Sequence, residues 1–86
     1  MRLSDKIAVV TGAGGGIGRA AAVRFAREGA MVFAVDINVD GNRETAELSD
    51  AIEPLTVDVS DGQSVSAMVQ TVLDRHGRLD VLFSNA

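Results

Sequence analysis

Cysteine and tyrosine are absent from this 86-residue chain, and histidine and proline occur once each. Without cysteine there is no disulfide framework and no thiolate metal site. The single histidine, His76, leaves only carboxylates as company for a metal, and no zinc-type spacing exists, so no metal is expected. No apolar run is long enough to span a bilayer. The N-terminal Met1-Arg2-Leu3-Ser4-Asp5-Lys6 lacks the long apolar core of a secretory signal. A cytoplasmic setting with no membrane partner is the expectation. The eight basic residues form no cluster and the net charge is −4. A nucleic-acid footprint needs a basic stripe, so no such partner is expected. The length allows one small domain or part of a larger one.

What the chain does have is glycine, concentrated in Thr11-Gly12-Ala13-Gly14-Gly15-Gly16-Ile17-Gly18. Glycine loses the most conformational entropy on ordering. A cluster of it between an apolar run and a helix-like segment marks a backbone that turns sharply and lets something come close. A helix N-terminus there presents free N–H groups and a partial positive charge, which suits a phosphate.

The chain reads in order as follows. Ile7 to Val10 is short, continuous, apolar and rich in β-branched residues, the signature of a parallel strand buried on both faces. After the glycine loop, Ile17 to Glu28 reads as a helix. Gly18, Ala21, Ala22, Phe25 and Ala26 share one arc, and Arg19, Arg24, Arg27 and Glu28 lie opposite. Gly18 within the apolar arc would let helix and sheet approach closely, and Gly29 is a helix stop. Ala30 to Val35 is a second strand, ending at Asp36. Asn42 to Leu48 is a weakly periodic, short helix. Pro54 to Val57 is a third strand with proline tolerated at its first position, and it ends in Asp58-Val59. Ser60-Asp61-Gly62-Gln63 reads as a capping box with Ser60 as N-cap. Val65, Met68, Val69, Val72 and Leu73 then form a helical apolar stripe, closed by Gly77. Leu79 to Phe83 is a fourth strand. The order β-α-β-α-β-α-β implies an α/β fold, an open parallel sheet with helices on both faces.

The general dinucleotide fingerprint G-x-G-x-x-G does not fit this loop in register, because the last glycine would fall at Ile17. The spacing that fits is Thr-Gly-x-x-x-Gly-x-Gly, at Thr11, Gly12, Gly16 and Gly18. With this loop, Asp36 at the end of the second strand, Asp58-Val59 after the third and Ser84-Asn85-Ala86 after the fourth, the chain resembles the N-terminal part of the short-chain dehydrogenase/reductase family. The resemblance covers essentially the whole chain. Ser84 departs from it, standing where the family often has the first Asn of its Asn-Asn-Ala-Gly motif.

The resemblance implies a Rossmann-type doubly wound sheet with strand order 3-2-1-4, incomplete at the fourth strand. It also implies an oxidoreductase that moves hydride between NAD and an alcohol or carbonyl substrate, working as a homo-oligomer. The implied cofactor-binding residues are Gly12, Gly14, Gly15, Gly16, Ile17, Gly18, Asp36, Ile37, Asp58, Val59, Asn85 and Ala86. Backbone N–H groups around Gly14 to Ile17 are expected at the pyrophosphate, and Thr11 is expected to brace the loop. A carboxylate at position 36 accepts both adenosine ribose hydroxyls and repels a 2′-phosphate; its other reading is a cap for the following segment. The family often places basic residues for NADP at the positions of Gly15 and Ile37, and neither side chain here binds phosphate. NAD is therefore expected over NADP. Asp58 and Val59 are expected at the adenine edge, with helix capping as the other reading of Asp58. Arg19 is expected on a solvated face and His76 on the surface.

The family's catalytic Tyr-x-x-x-Lys has no counterpart here: there is no tyrosine, and the only lysine is Lys6. No catalytic residue is carried over. The chain is thus expected to be the cofactor-binding part of one domain whose catalytic half lies elsewhere, and to be unstable alone. A non-enzymatic NAD-binding module shares every feature above and would lack a downstream Tyr-x-x-x-Lys. An adenosylmethionine-dependent methyltransferase shares the glycine loop and the acidic residues, but the Thr-Gly start with Gly16 and Gly18 argues against it.

Overall fold

The computed structural model describes residues 3–85. Ala86, one of the expected cofactor residues, lies outside them. The chain runs β1 (Ile7–Thr11), α1 (Gly16–Arg27), β2 (Met31–Asp36), α2 (Val39–Ala46), β3 (Ile52–Thr56), α3 (Gly62–His76) and β4 (Val81–Phe83). All strands are parallel, in the order β3-β2-β1-β4. The expected topology holds.

The apolar runs explain the two inner strands. Every residue of β1 is buried, because β2 and β4 flank it and helices cover both faces, so no polar alternation survives. Its register with β2 runs from Ile7 opposite Met31 to Thr11 opposite Val35. Successive side chains point to opposite faces. One face carries Ala8, Val10, Val32 and Ala34, packed with Ala22 of α1. These are small residues, and α1 lies close. The other face carries Ile7, Val9, Phe33 and Val35, packed with Met68 and Val72 of α3. Two helical layers therefore enclose one sheet, and the carboxyl ends of β1, β2 and β3 all open toward the glycine loop.

Several boundaries differ from the sequence expectation. α2 starts at Val39, because Asn38 caps it by accepting a hydrogen bond from the Gly41 N–H at 3.1 Å. Its buried residues are Asn42 and Thr45, so a polar face turns inward and no apolar period announces it. β3 begins at Ile52 and Pro54 is its third residue, opposite Ala34. A border strand tolerates this proline, because one N–H of such a strand in two has no ladder partner. α3 is capped by Asp61, which accepts from the Gln63 N–H at 3.0 Å. Ser60, the expected cap, instead donates its hydroxyl to Asp58 at 2.6 Å. Gly77 ends α3 in the left-handed region at φ 73°, as expected of a C-terminal glycine.

Candidate functional site

The site begins where β1 ends. Thr11 accepts a hydrogen bond from the Asn85 N–H at 2.9 Å on its hydroxyl oxygen, which ties the end of β1 to the segment after β4. Its expected bracing role is of this kind. The chain then turns at Gly12, at φ 66°. A Cβ there would collide with the Asn85 carbonyl, so this position needs glycine for conformation and for space. The Ala13 N–H donates to the Val35 carbonyl at 3.1 Å, holding the loop against β2.

Gly14 meets Asp36. The Gly14 N–H donates to Asp36 Oδ2 at 2.8 Å, and a Cβ on Gly14 would stand 2.7 Å from the same oxygen. Asp36 Oδ1 accepts from the Asn38 N–H at 2.9 Å. The Gly14 N–H is thus engaged within the protein and does not face outward, which corrects its expected direction. The bond to Asn38 also realises the capping alternative for Asp36. Each carboxylate oxygen keeps a further lone pair for an incoming hydroxyl.

Gly15 and Gly16 differ from the others. A Cβ on either would meet nothing within 4 Å, so open space lies above them. Gly16 has φ 54°, whereas Gly15 is extended and any residue could adopt its backbone. Gly15 is the N-cap of α1 and supplies no side-chain hydrogen bond, and the first turn holds no acidic residue. The helix's first N–H groups have no intrahelical partner. α2 and α3 meet this need with Asn38 and Asp61; α1 alone lacks such a cap. Gly18 is crowded, and a Cβ there would strike the Gly12 carbonyl. Its missing side chain therefore lets α1 approach the loop itself, not the sheet as expected.

Between the loop and the ends of β2 and β3 lies a cavity of about 270 Å³, lined by Gly12, Val35, Asp36, Ile37, Val57, Asp58, Val59 and Asn85. Ile37 and Val59 are exposed apolar side chains at its rim, and Ile17 is exposed at the start of α1. Asp58 accepts from both the Ser60 hydroxyl and the Ser60 N–H. These bonds, the hydroxyl's first, hold its carboxyl below the ordinary value of 3.8. Asp58 therefore closes the turn before α3, while Asp61 caps the helix. Of the expected residues, Gly12, Asp36, Ile37, Asp58, Val59 and Asn85 line this one cavity.

Arg19 overturns its expectation. It turns inward from α1, donating from Nε to Thr45 Oγ1 at 2.8 Å and from Nη2 to the carbonyls of Gly14 and Gly41 at 2.9 and 3.0 Å. Angular position on α1 hid this, because its partners lie on α2 and in the glycine loop. Gly41, Asn42 and Thr45 were missed for the same reason. The one sequence signal was a pair of uncharged polar residues, Asn42 and Thr45, at helical spacing on an otherwise charged segment. His76 is exposed as expected, with its ring edge-to-face on Phe33 at 5.4 Å. Among the described residues no cluster suited to a metal ion occurs, and no helix is long and apolar enough to cross a membrane.

Comparison with known proteins agrees with this geometry. Residues 6–86 match the family model for short chain dehydrogenase. A sorbitol dehydrogenase of Cereibacter sphaeroides is 45% identical over 87 residues, which cover 100% of this chain and 34% of that protein. A 3-oxoacyl-[acyl-carrier-protein] reductase of Thermotoga maritima is 41% identical, covering 100% of this chain and 37% of that protein. The crystal structure of a 3-ketoacyl-(acyl-carrier-protein) reductase from Brucella melitensis complexed with NADH superposes with a TM-score of 0.87 at 40% identity, covering 93% of this chain and 33% of that one. The chain thus spans about a third of the length of these relatives. Loop spacing, strand order and family match converge, and the chain belongs to the short-chain dehydrogenase/reductase family.

Proposed function

We propose that this chain is the dinucleotide-binding part of an NAD-dependent oxidoreductase acting on an alcohol or carbonyl substrate, and that the catalytic residues lie in a part of the domain outside residues 1–86. The observation that carries this reading is the uncapped N-terminus of α1 beside a cavity whose rim holds a carboxylate. The donor set suits a dinucleotide: orphan N–H groups for a pyrophosphate, Asp36 for ribose hydroxyls, and exposed Ile37 and Val59 to enclose a flat base. A relative at 40% identity was crystallised with NADH, which supports the same reading.

NAD, when bound, supplies the hydride-accepting ring. This chain's residues bind and orient. The first turn of α1 holds the pyrophosphate by its N–H groups and dipole. Asp36 accepts the two ribose hydroxyls on the lone pairs left free by Gly14 and Asn38. Asp58 accepts from an exocyclic amine, and the Val59 N–H donates to a ring nitrogen. Asn85, which lines the cavity, would flank the adenosine ribose.

Asp36 also sets the choice between cofactors. A 2′-phosphate beside this carboxylate meets about 1–4 kcal/mol of repulsion at surface dielectric values, and neither Gly15 nor Ile37 offers a compensating cation. Calorimetry on the full-length protein is expected to show NAD bound at least about tenfold more tightly than NADP. Asp36→Ala is expected to narrow that ratio. Tighter NADP binding by the unmodified protein would sink the assignment.

A further inference from the structure

We propose that Arg19 and Thr45 are positioning residues that aim the backbone of the phosphate loop. The proposal rests on the dinucleotide reading above and goes beyond it, because neither side chain lines the cavity.

Two consecutive peptide units of the loop are held by these side chains. Thr45, fully buried, donates its hydroxyl to the Ala13 carbonyl at 2.6 Å. Arg19 donates to the next carbonyl, that of Gly14, at 2.9 Å. In a trans peptide, C=O and N–H point in opposite directions. Fixing the Ala13 carbonyl on Thr45 therefore aims the Gly14 N–H to the opposite side of that peptide, where it meets Asp36. Fixing the Gly14 carbonyl inward aims the Gly15 N–H outward, into the open space above Gly15 and Gly16. The two side chains are joined, since Arg19 Nε donates to Thr45 Oγ1 at 2.8 Å.

The clamp is anchored on α2. Arg19 also reaches the Gly41 carbonyl, and Gly41 lies so close beneath the loop that a Cβ on it would strike the Gly14 carbonyl. Asn42, on the same face, donates to the carbonyls of Ala34 and Leu55 at 2.7 and 3.2 Å and so fixes α2 to β2 and β3. A cation at the end of the first turn of α1 is unfavourable to that helix's dipole. Here its charge is held by two carbonyls and a hydroxyl, and it adds positive potential beneath an anion site. Glu44, 3.5 Å away and largely exposed, is a weak counter-ion.

The test uses the full-length protein and the variants Arg19→Met, Arg19→Lys, Thr45→Val and Thr45→Ser, with NAD and adenosine as probes. Amide hydrogen exchange of Gly14 is read alongside. Losing charge-assisted bonds to the loop is expected to weaken NAD binding about tenfold or more in Arg19→Met, with faster exchange at Gly14, whose N–H is held by Asp36. Thr45→Val is expected to act in the same direction and Thr45→Ser to retain most of the affinity. Adenosine lacks the phosphates, so its affinity is expected to stay within about twofold. A folded Arg19→Met with unchanged NAD affinity and unchanged Gly14 exchange overturns the proposal. Equal losses for NAD and adenosine, tracking a fall in melting temperature, overturn it too, because they mark a general stabilising role. If Arg19→Met fails to fold, Arg19→Lys and Thr45→Val carry the same comparison. If the unmodified protein binds no NAD, the dinucleotide reading fails. Gly14 exchange then still decides the clamp: faster exchange in the variants supports it, and unchanged exchange overturns it.

Discussion

Gly12 and Gly15 stand three positions apart in one loop, yet they are glycine under different demands. Gly12 has φ 66° and no room for a Cβ beside the Asn85 carbonyl. Gly12→Ala therefore combines left-handed strain with overpacking, and is expected to cost about 2–4 kcal/mol. Gly15 is extended with open space around it, so Gly15→Ala is expected to stay within about 0.5 kcal/mol. Urea unfolding of both variants checks the contrast; equal costs would contradict it. Asp80 shows a residue whose charge matters to the fold. Its carboxylate accepts from the Ile7 N–H at 2.8 Å, its own N–H donates to the Ile7 carbonyl at 2.9 Å, and the Arg78 guanidinium grips it. The bond from Arg78, then that from Ile7, holds its carboxyl below the ordinary value of 3.8. A carboxyl depressed in the folded state contributes stability that is present above its unfolded value and lost as pH falls through the folded one. Unfolding free energy is expected to fall below about pH 4, and Asp80→Asn is expected to flatten part of that fall. An unchanged pH profile in the variant would show that the pair carries no such linkage.

The helices differ in what docks them and in how their ends are closed. α3 packs through Met68 and Val72, and its apolar stripe is plain in the sequence. Its cap is less plain, because Ser60 and Asp61 are adjacent and both are good capping residues. The structure gives the role to Asp61 and turns Ser60 toward Asp58. Asp61→Ala is expected to cost about 1 kcal/mol, and Ser60→Ala less, as read by chemical denaturation. The reverse order would restore Ser60 as the cap. α2 lies at the other extreme, since it docks by hydrogen bonds from Asn42 and Thr45. Hydrophobic period is the main sequence signal of a helix, and a helix that buries amides and hydroxyls gives little of it. This explains why β1, β2, the body of α3 and the strand order could be read in advance, while the start of α2 could not. The same physics divides the candidate site. Asp36 is legible because it ends an apolar run, and the glycine spacing is legible because few other reasons exist for such a cluster. The inward path of Arg19 is not, because it depends on the Gly41 carbonyl and the Thr45 hydroxyl of a neighbouring helix, which no local pattern reveals.

The two borders of the sheet are managed differently, and this governs how the whole molecule behaves. The β3 border carries Pro54 within the strand and the Glu53–Arg75 ion pair beside it. Proline and charge blunt an edge against further pairing. The β4 border carries Val81, Leu82 and Phe83, with neither proline nor charge in the strand. Leu82 is 59% exposed, although it lies in register with fully buried Val9 of the central strand. An apolar edge one strand from the middle of a sheet is a template for pairing. A polypeptide of residues 1–86 alone is therefore expected to self-associate at micromolar concentration, and Leu82→Lys is expected to reduce that association by charging the edge. In the full-length protein, where the proposed remainder of the domain would cover β4, the same change is expected to act the other way. A lysine desolvated at that position destabilises by about 2 kcal/mol or more. Sedimentation velocity on the short polypeptide and urea unfolding of the long one read the two signs. A monomeric, cooperatively unfolding 86-residue polypeptide would show that the β4 edge is closed by the chain's own packing. A full-length protein indifferent to Leu82→Lys would show that nothing covers this border.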